Sequence, residues 1–321
     1  MTVLIVSQEL DATADGVVLA LGERGVPVFR IDRAWFPQRL TLEAELCQGE
    51  WTGCLRTTTR RVEFGNIRSV WYRWRSKFVL SPHLTAQDAQ HAEREAGTGF
   101  DGVLCCLDAR HVNHPHRVAA LPKPAELHLA ARCGLHVPQT VISNSSSQVR
   151  SFVHGSRDVV RKLFSCHVLD NTGRSTVGHT RLITGHDLTE LDRVTFTAHQ
   201  VQSYVDKLMD VRVVVVGDRM FPVAIHPLSA AARIDFRTDY SALRHEVIEL
   251  PADVAQGIQR FMTEGGLLMA SIDFSVGRDG RYYFLESNPS GGQYGWLEAK
   301  TGVRITEAVA DLLAQDWIAS S

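Results

Sequence analysis

SIDFSVGRDGRYYFLESNPSGG, residues 271–292, decides how this chain is read. Ser271–Val276 and Arg281–Leu285 are runs rich in β-branched and aromatic residues on either side of GRDG, a β-hairpin pattern. With Asp279-Gly280 as a two-residue turn, Arg278 faces Arg281, and counting back along both strands sets Asp273 across from Glu286. Direct cross-strand partners share a face, with Cβ atoms about 4.5–5.5 Å apart. Asn288, two residues beyond Glu286, points the same way while the strand stays extended. Two carboxylates and an amide oxygen then converge on one patch. Like charges this close repel unless a cation lies between them, and hard oxygen donors suit Mg2+, which shares its shell with phosphates. The competing reading is an exposed hairpin with incidental acids. The apolar neighbours Ile272, Phe274, Phe284 and Leu285 favour a packed hairpin and therefore the cation. Pro289–Gly292 can turn sharply and bring backbone close to a ligand.

A phosphate-binding site needs upstream groups that offset phosphate charge. No G-x-x-x-x-G-K-[ST] occurs, which excludes a P-loop. Lys123 opens a helix in LPKPAELHLAARCGLHVP, and Lys162 sits inside the strand pattern DVVRKLF. A lysine in an apolar strand costs desolvation unless an anion pairs with it; alternatively it lies at a sheet edge and snorkels to water. Both readings stand on the residues alone. Asp210 and Arg212 share a face as the strand DVRVVVV begins, and Arg237 lies in the polar stretch RIDFRTDY. Arginine offers a fixed bidentate fork for phosphate or carboxylate.

Around this site the chain divides into three parts. Residues 1–112 read as an N-terminal α/β domain, opening with strand Val3–Ser7, a helix over Ala14–Arg24 and strand Val26–Ile31. Leu40–Leu46 and Cys54–Thr59 pair around QGEWTG, Ser69–Trp74 is a strand, and Ala86–Leu107 is helical. Residues 113–201 form a central part with a polar, lid-like loop at 165–180. Residues 202–321 carry hairpins around Gly217-Asp218 and GRDG, a helix over Ala252–Thr263, and a closing helix at Thr306–Trp317. The fold class is α/β, with both open and antiparallel sheets.

The 321 residues carry 34 Lys+Arg against 36 Asp+Glu, a formal charge of −2, which argues against a duplex nucleic-acid binder. The basic, aromatic segment Arg56–Lys77 alternates as half-buried strands do, so single-stranded nucleic acid is not the reading either. No apolar run approaches the length of a membrane span. The opening residues lack a signal-peptide pattern, so a cytoplasmic protein with reduced cysteines is expected. His111, His114 and His116 in HVNHPH lack a fourth ligand at a recognisable spacing and read as a loop, not a zinc site.

Taken in order, the Lys123 segment, Lys162 with its Gly/Ser/Thr loop, QSYVDK, DVRVVVVGDRMFPVAI and SIDFSVGRDGRYYFLESNPSGG resemble the ATP-grasp superfamily from about 113 to 295. VWYRWR at 70–75, NHPHRVAALPKPAELHLAARCGL and FLESNPSGGQYGWLE are most similar to the ligases that mature graspetides, the microviridin-type peptides with ω-ester or ω-amide rings. Arg73-Trp74-Arg75 departs from the tandem arginines of that family, and an extra glycine follows Asn288-Pro289. The resemblance implies an ATP-grasp fold, ATP and Mg2+ as cofactors, and a ribosomal precursor peptide (leader plus core) as substrate. It implies that Lys123 and Lys162 neutralise ATP phosphates, and that Gln202 with the backbone near Tyr204–Val205 holds adenine. Asp273, Glu286 and Asn288 would bind Mg2+, while Arg212 and Arg237 lie beside the γ-phosphate and the acyl group. It also implies a homodimer, with no nucleic-acid or membrane partner. Two alternatives remain at this stage: a RimK-like ligase of free amino acids or small peptides, and an ATP-binding regulator without turnover.

Overall fold

The computed structural model describes residues 1–73, 76–164, 167–169 and 175–315. Strand β1 (Thr2–Val6), helix α1 (Ala12–Glu23) and β2 (Val28–Ile31) form a parallel β-α-β unit, with Asp11 capping α1 by accepting from the Thr13 and Ala14 amides. Strands β3 (Thr41–Cys47), β4 (Glu50–Arg56) and β5 (Arg61–Glu63) make a separate antiparallel sheet. The turn in QGEWTG is tighter than expected: Cys47 already pairs with Glu50, and Gln48 and Gly49 both take positive φ, as a two-residue hairpin turn requires. Gly53 therefore lies inside β4, where a Cβ would strike the Glu43 carbonyl. Strand β6 (Ile67–Tyr72) and, after helices α2 (Ala86–Ala96) and α3 (Gly102–Cys105), strand β7 (Arg110–Val112) complete a parallel sheet of order β2-β1-β6-β7. The expected strand end at Trp74, and Arg75 beside it, lie outside the described residues.

Helices α4 (Pro115–Ala119) and α5 (Lys123–Arg132) follow, broken at the prolines 122 and 124 and stopped at Gly134 in the left-handed region. Strand β8 (Thr140–Ser143), helix α6 (Ser146–Gly155) and β9 (Val159–Lys162) come next. The expected polar loop contains a hairpin, β10 (His167–Leu169) with β11 (Ser175–Val177); residues 165–166 and 170–174 of that loop lie outside the described residues. Strand β12 (Arg181–Leu182), helix α7 (Gly185–Thr189) and β13 (His199–Ser203) finish this part, whose sheet order is β12-β9-β13-β8.

The largest sheet, of order β16-β15-β14-β17-β18, is antiparallel and joins β14 (Lys207–Val216), β15 (Arg219–Pro227), β16 (Leu243–Val247), β17 (Met269–Gly277) and β18 (Tyr282–Asn288). Helix α8 (Ala230–Ile234) precedes β16, and α9 (Ala252–Gly265) lies between β16 and β17. Strand β14 is almost continuously apolar because both of its faces are covered. Val211, Val213 and Val215 pack with Ile272, Phe274 and Phe284 against Ile258 and Phe261 of α9 and Leu127 of α5. On the other face Val214 and Val216 enter a second core with Val17 and Leu21 of α1. The chain ends with α10 (Gly295–Thr301) and α11 (Ile305–Ala314); residues 316–321, including the end expected for the last helix, lie outside the described residues. Helix α11 joins that second core through Ile305, Val309 and Leu313, so the first and last helices of the chain share one interior. Arg24 of α1 seals its edge on Glu307 (2.6 Å) and Asp311 (2.7 Å).

Candidate active site

The alternation of β14 and β17 sets the site. Asp210 and Arg212 point away from α9, and their cross-strand neighbours are Ser275 and Asp273. Asp273 in turn pairs with Glu286 of β18, as the sequence indicated. The route to that pairing differs, however. The loop spans three residues, Arg278 to Gly280, because Gly277 already bonds to the Arg281 carbonyl (3.0 Å), and Gly280 takes φ +76°. Pairing runs Phe274 to Phe284 and then Asp273 to Glu286, leaving Leu285 as a bulged extra residue. The bulge lets Phe284 stay in the core while Leu285 and Glu286 both line a cleft.

This cleft lies between the β9–β13 sheet and the large sheet. Val160, Lys162, Gln202, Tyr204 and Val205 line one side, and Asp210, Asp235, Phe236, Arg237, Asp273 and Glu286 the other. Lys123 and Arg212 reach it through Glu286 and Asp273, and Asn288 lies two residues beyond Glu286 on β18. The Lys123 ammonium lies 3.1 Å from Glu286 Oε2 and donates to the Leu163 carbonyl (2.9 Å). Arg237 Nη1 stands 3.7 Å from Glu286 Oε1. Burial opposes charge on Glu286, but Lys123, Lys162 and Arg237 outweigh it and hold this carboxyl below the usual carboxylate range. Burial pushes the Lys162 amine down, Glu286 and Asp273 favouring its charge and Lys123 and Arg237 opposing it. Among the described residues that amine has no hydrogen-bond or ion-pair partner.

Arg212 grips Asp273 bidentately, Nε to Oδ1 at 2.7 Å and Nη2 to Oδ2 at 2.8 Å, with its guanidinium 5.4 Å from the Phe236 ring and 5.8 Å from Trp296. Asn288 is exposed, and its Oδ1 accepts from the Ser290 amide (3.2 Å) and hydroxyl (2.6 Å). The expected triad is therefore two opposed carboxylates and one nearby amide, each carboxylate neutralised by a protein cation. Among the described residues no three His, Cys, Asp or Glu side chains gather as a metal cage, HVNHPH included. The Gln202 side chain is less free than expected: its Nε2 donates to Thr140 Oγ1 (2.8 Å). The Tyr204 amide bonds to the Asp158 carbonyl (2.9 Å).

Three supporting acids escaped the sequence reading. Asp235 holds Arg237 by two bonds of 2.8 Å; burial opposes its charge, but the guanidinium and backbone amides bring it down to about 2. Two residues' separation in RIDFR was the available signal. Asp210, noted only as a neighbour of Arg212, closes a buried pair with Lys207 (2.6 Å) and accepts from Ser275 Oγ (2.7 Å). Glu126, one helical turn after Lys123, is buried and accepts from Ser287 Oγ (2.7 Å).

Burial pushes Glu126 up to about 7 from an ordinary 4.5, with Glu286 adding to that rise and Ser287 and Lys123 working against it. The folded protein therefore holds this proton more tightly than the unfolded chain. Its stabilising contribution is complete below about pH 4.5 and fades as pH rises through 7. At 1.36 kcal/mol per pKa unit the difference is about 3 kcal/mol. Urea titrations should show wild-type stability falling between pH 5 and 8, and Glu126→Gln, which keeps an acceptor for Ser287, should flatten that fall. Superimposable pH profiles for the two proteins would contradict this assignment.

Known proteins share this overall fold. The model of the MvdD pre-ATP grasp domain matches residues 2–119. Macrocyclase MdnC of Microcystis aeruginosa MRC, solved with precursor peptide MdnA, superposes with a TM-score of 0.87 at 25% identity, covering 98% of this chain and 100% of that one. A RiPP-associated ATP-grasp ligase of Chryseobacterium gregarium, in complex with ADP and a leader and core peptide, gives 0.89 at 25% identity over 98% and 97%. Macrocyclase MdnB of Microcystis aeruginosa MRC gives 0.81 at 26% over 97% and 98%. No curated protein matches the chain by sequence. The fold and the cleft define an ATP-grasp ligase. Within that superfamily the chain is similar to ligases and macrocyclases solved with precursor, leader or core peptides.

Proposed function

We propose that this ligase phosphorylates Asp or Glu side chains of a ribosomal precursor peptide and closes ester or amide rings with its Thr/Ser or Lys side chains. The observation that carries the reading is the convergence of Lys162, Lys123, Arg237 and Arg212 on the Asp273–Glu286 pair at one cleft. A carboxylate approaching a γ-phosphate is an anion meeting an anion. Lysine and arginine groups in a partly dry cleft offset that repulsion and stabilise charge on the transferring phosphoryl.

In this proposal Lys123 and Lys162 take ATP phosphates. Gln202 and the backbone at Tyr204–Val205 border adenine beside Leu285. Arg212 and Arg237 orient the peptide carboxylate. Asp273, Glu286 and Asn288 would hold Mg2+: two hard carboxylates and an amide at a phosphate-sized cleft fit that ion, and Arg212 and Lys123 neutralise the acids without it. Held by Asp273, Glu286 and Asn288, such an ion would supply Lewis-acid stabilisation of charge on the transferring phosphoryl. The peptide carboxylate oxygen attacks the γ-phosphorus and ADP leaves. A hydroxyl or amine of the same peptide then attacks the acyl carbon of the acyl phosphate, releasing phosphate and a proton. Water must be kept out, because hydrolysis would discard the activated acyl group.

The resemblance extends the proposal to a homodimer acting in the cytoplasm; no helix among the described residues is long and apolar enough to cross a membrane. Incubation with the precursor peptide, ATP and Mg2+ should lower the peptide mass by one water per ring, with one ADP released each time. If no peptide loses water while free amino acids drive ADP release, the RimK-like alternative replaces this reading. Tight ATP binding without turnover on any substrate would leave the regulatory one.

A further inference from the structure

Immediately after Asn288 the backbone carbonyls of Pro289, Ser290, Gly291 and Gly292 are each held by a side chain from elsewhere in the chain. Asn113 Nδ2 donates to Pro289 O (2.5 Å) and Met269 O (2.6 Å), while its Oδ1 accepts from the Leu268 and Met269 amides. Arg73 Nη1 donates to Ser290 O (3.3 Å) and to Gly292 O. Ser271 Oγ donates to Gly291 O. The loop itself cannot hold this shape by packing alone: Gly291 and Gly292 take φ +80° and +61°, and a Cβ on Gly291 would collide with the Met269 side chain.

Arg73 is the central member. It leaves the end of β6 in the N-terminal domain with its side chain fully buried, and its charge is met by Asp11 (Nε to Oδ2 3.0 Å, Nη2 to Oδ1 3.2 Å). Its guanidinium lies 5.5 Å from the Trp71 ring and 6.0 Å from Tyr294. A buried arginine costs heavily unless every donor is used in good geometry. Here the acid that caps the first helix satisfies one edge, and Nη1 reaches the loop after the strand that carries Glu286 and Asn288.

We propose that Arg73, with Ser271 and Asn113, is a positioning residue for the cation site: by holding the 289–292 carbonyls it fixes where Asn288 and Glu286 present their oxygens. The inference rests on the reading that those two residues hold a divalent cation. Supports behind metal ligands typically change metal affinity by about 10–100-fold when removed. With its side chain fully buried and bonded to the Ser290 and Gly292 carbonyls, Arg73 would act on the site through the loop.

The test measures Mn2+ affinity of the ADP complex by electron paramagnetic resonance, and ADP affinity in EDTA, for wild type, Arg73→Lys, Ser271→Ala and Glu286→Gln. Lysine keeps a charge for Asp11 but cannot span two carbonyls as well; Ser271→Ala removes one hydroxyl in a different element and guards against a folding defect in the first variant. Arg73→Lys and Ser271→Ala should each weaken Mn2+ binding about tenfold or more while metal-free ADP affinity and the melting temperature of the Ser271 variant stay as in wild type. Unchanged Mn2+ affinity in both, with Glu286→Gln weakened, overturns the positioning role and leaves the cation site standing. Unchanged Mn2+ affinity in Glu286→Gln as well overturns the cation reading and this inference with it. Equal losses of Mn2+ and metal-free ADP binding overturn it in favour of general damage.

Discussion

Glu286→Gln is expected to lower ligase turnover by about 10²–10³-fold while the fold survives. Glu286 is where three cations meet: Lys123 at 3.1 Å, Arg237 at 3.7 Å, and Lys162 acting through space. The amide keeps the shape and removes the charge. Folding tolerates this because Lys123 retains the Leu163 carbonyl and Arg237 retains Asp235. Catalysis does not, because in the proposed site this carboxylate is half of the charge that holds the cation against the transferring phosphoryl. A second consequence has the opposite sign: without Glu286 the cleft is more positive, so metal-free ADP should bind at least as tightly as to wild type. Measuring ADP release with precursor peptide, beside ADP binding in EDTA, separates the two. Turnover within a few-fold of wild type at ordinary Mg2+ would remove Glu286 from the proposed machinery.

Lys162→Met should produce the second large effect, raising the KM for ATP by about 10–100-fold, the range of a lost charge-assisted hydrogen bond. Among the described residues the amine in the cleft wall has no partner, and burial holds its pKa below the usual lysine range. That lowered value means the charged amine destabilises the empty protein at neutral pH, so Met at this position should raise the melting temperature without nucleotide. A bound phosphate reverses the balance by supplying the missing anion. The variant is therefore expected to be more stable than wild type empty, and to lose most of the stabilisation ATP gives. A differential scanning fluorimetry series with and without ATP reads both effects. Nucleotide stabilisation equal to that of wild type would remove Lys162 from the proposed phosphate-binding set.

Much of this arrangement was legible in the residues because its determinants are local. The hydrophobic runs of β14 and β17, the glycine and aspartate turns, and the two-residue alternation place Asp210, Arg212, Asp273 and Ser275 on one face. Asp273 opposite Glu286 was also read, but by two departures that offset each other: a three-residue loop where two were assumed, and a bulge at Leu285 that restores the register. Bulges depend on what each face must bury, here Phe284 against Phe261, and no spacing in the sequence declares that. The pairing of each acid with a particular cation was likewise hidden. Arg212 with Asp273 crosses two strands, and Lys123 with Glu286 joins a helix start to a strand more than 160 positions later. Where the partner lay close in sequence, as for Asp235 with Arg237 or Glu126 beside Lys123, the spacing was visible and only its meaning was missed. The hold of Arg73 on the loop after Asn288 depends on the packing of distant segments, so nothing near position 73 betrays it.

Because α1 and α11 share one interior, stitched by Arg24 to Glu307 and Asp311 and by Ser69 to the Leu313 carbonyl (2.8 Å), the beginning and end of the polypeptide form a single seam. Grafting residues 1–112 alone onto another ligase would tear that seam open and expose Val309 and Leu313 to water. A chimaera that transplants the closing helix together with the first domain keeps it intact, and such paired exchanges are the ones expected to yield soluble hybrids.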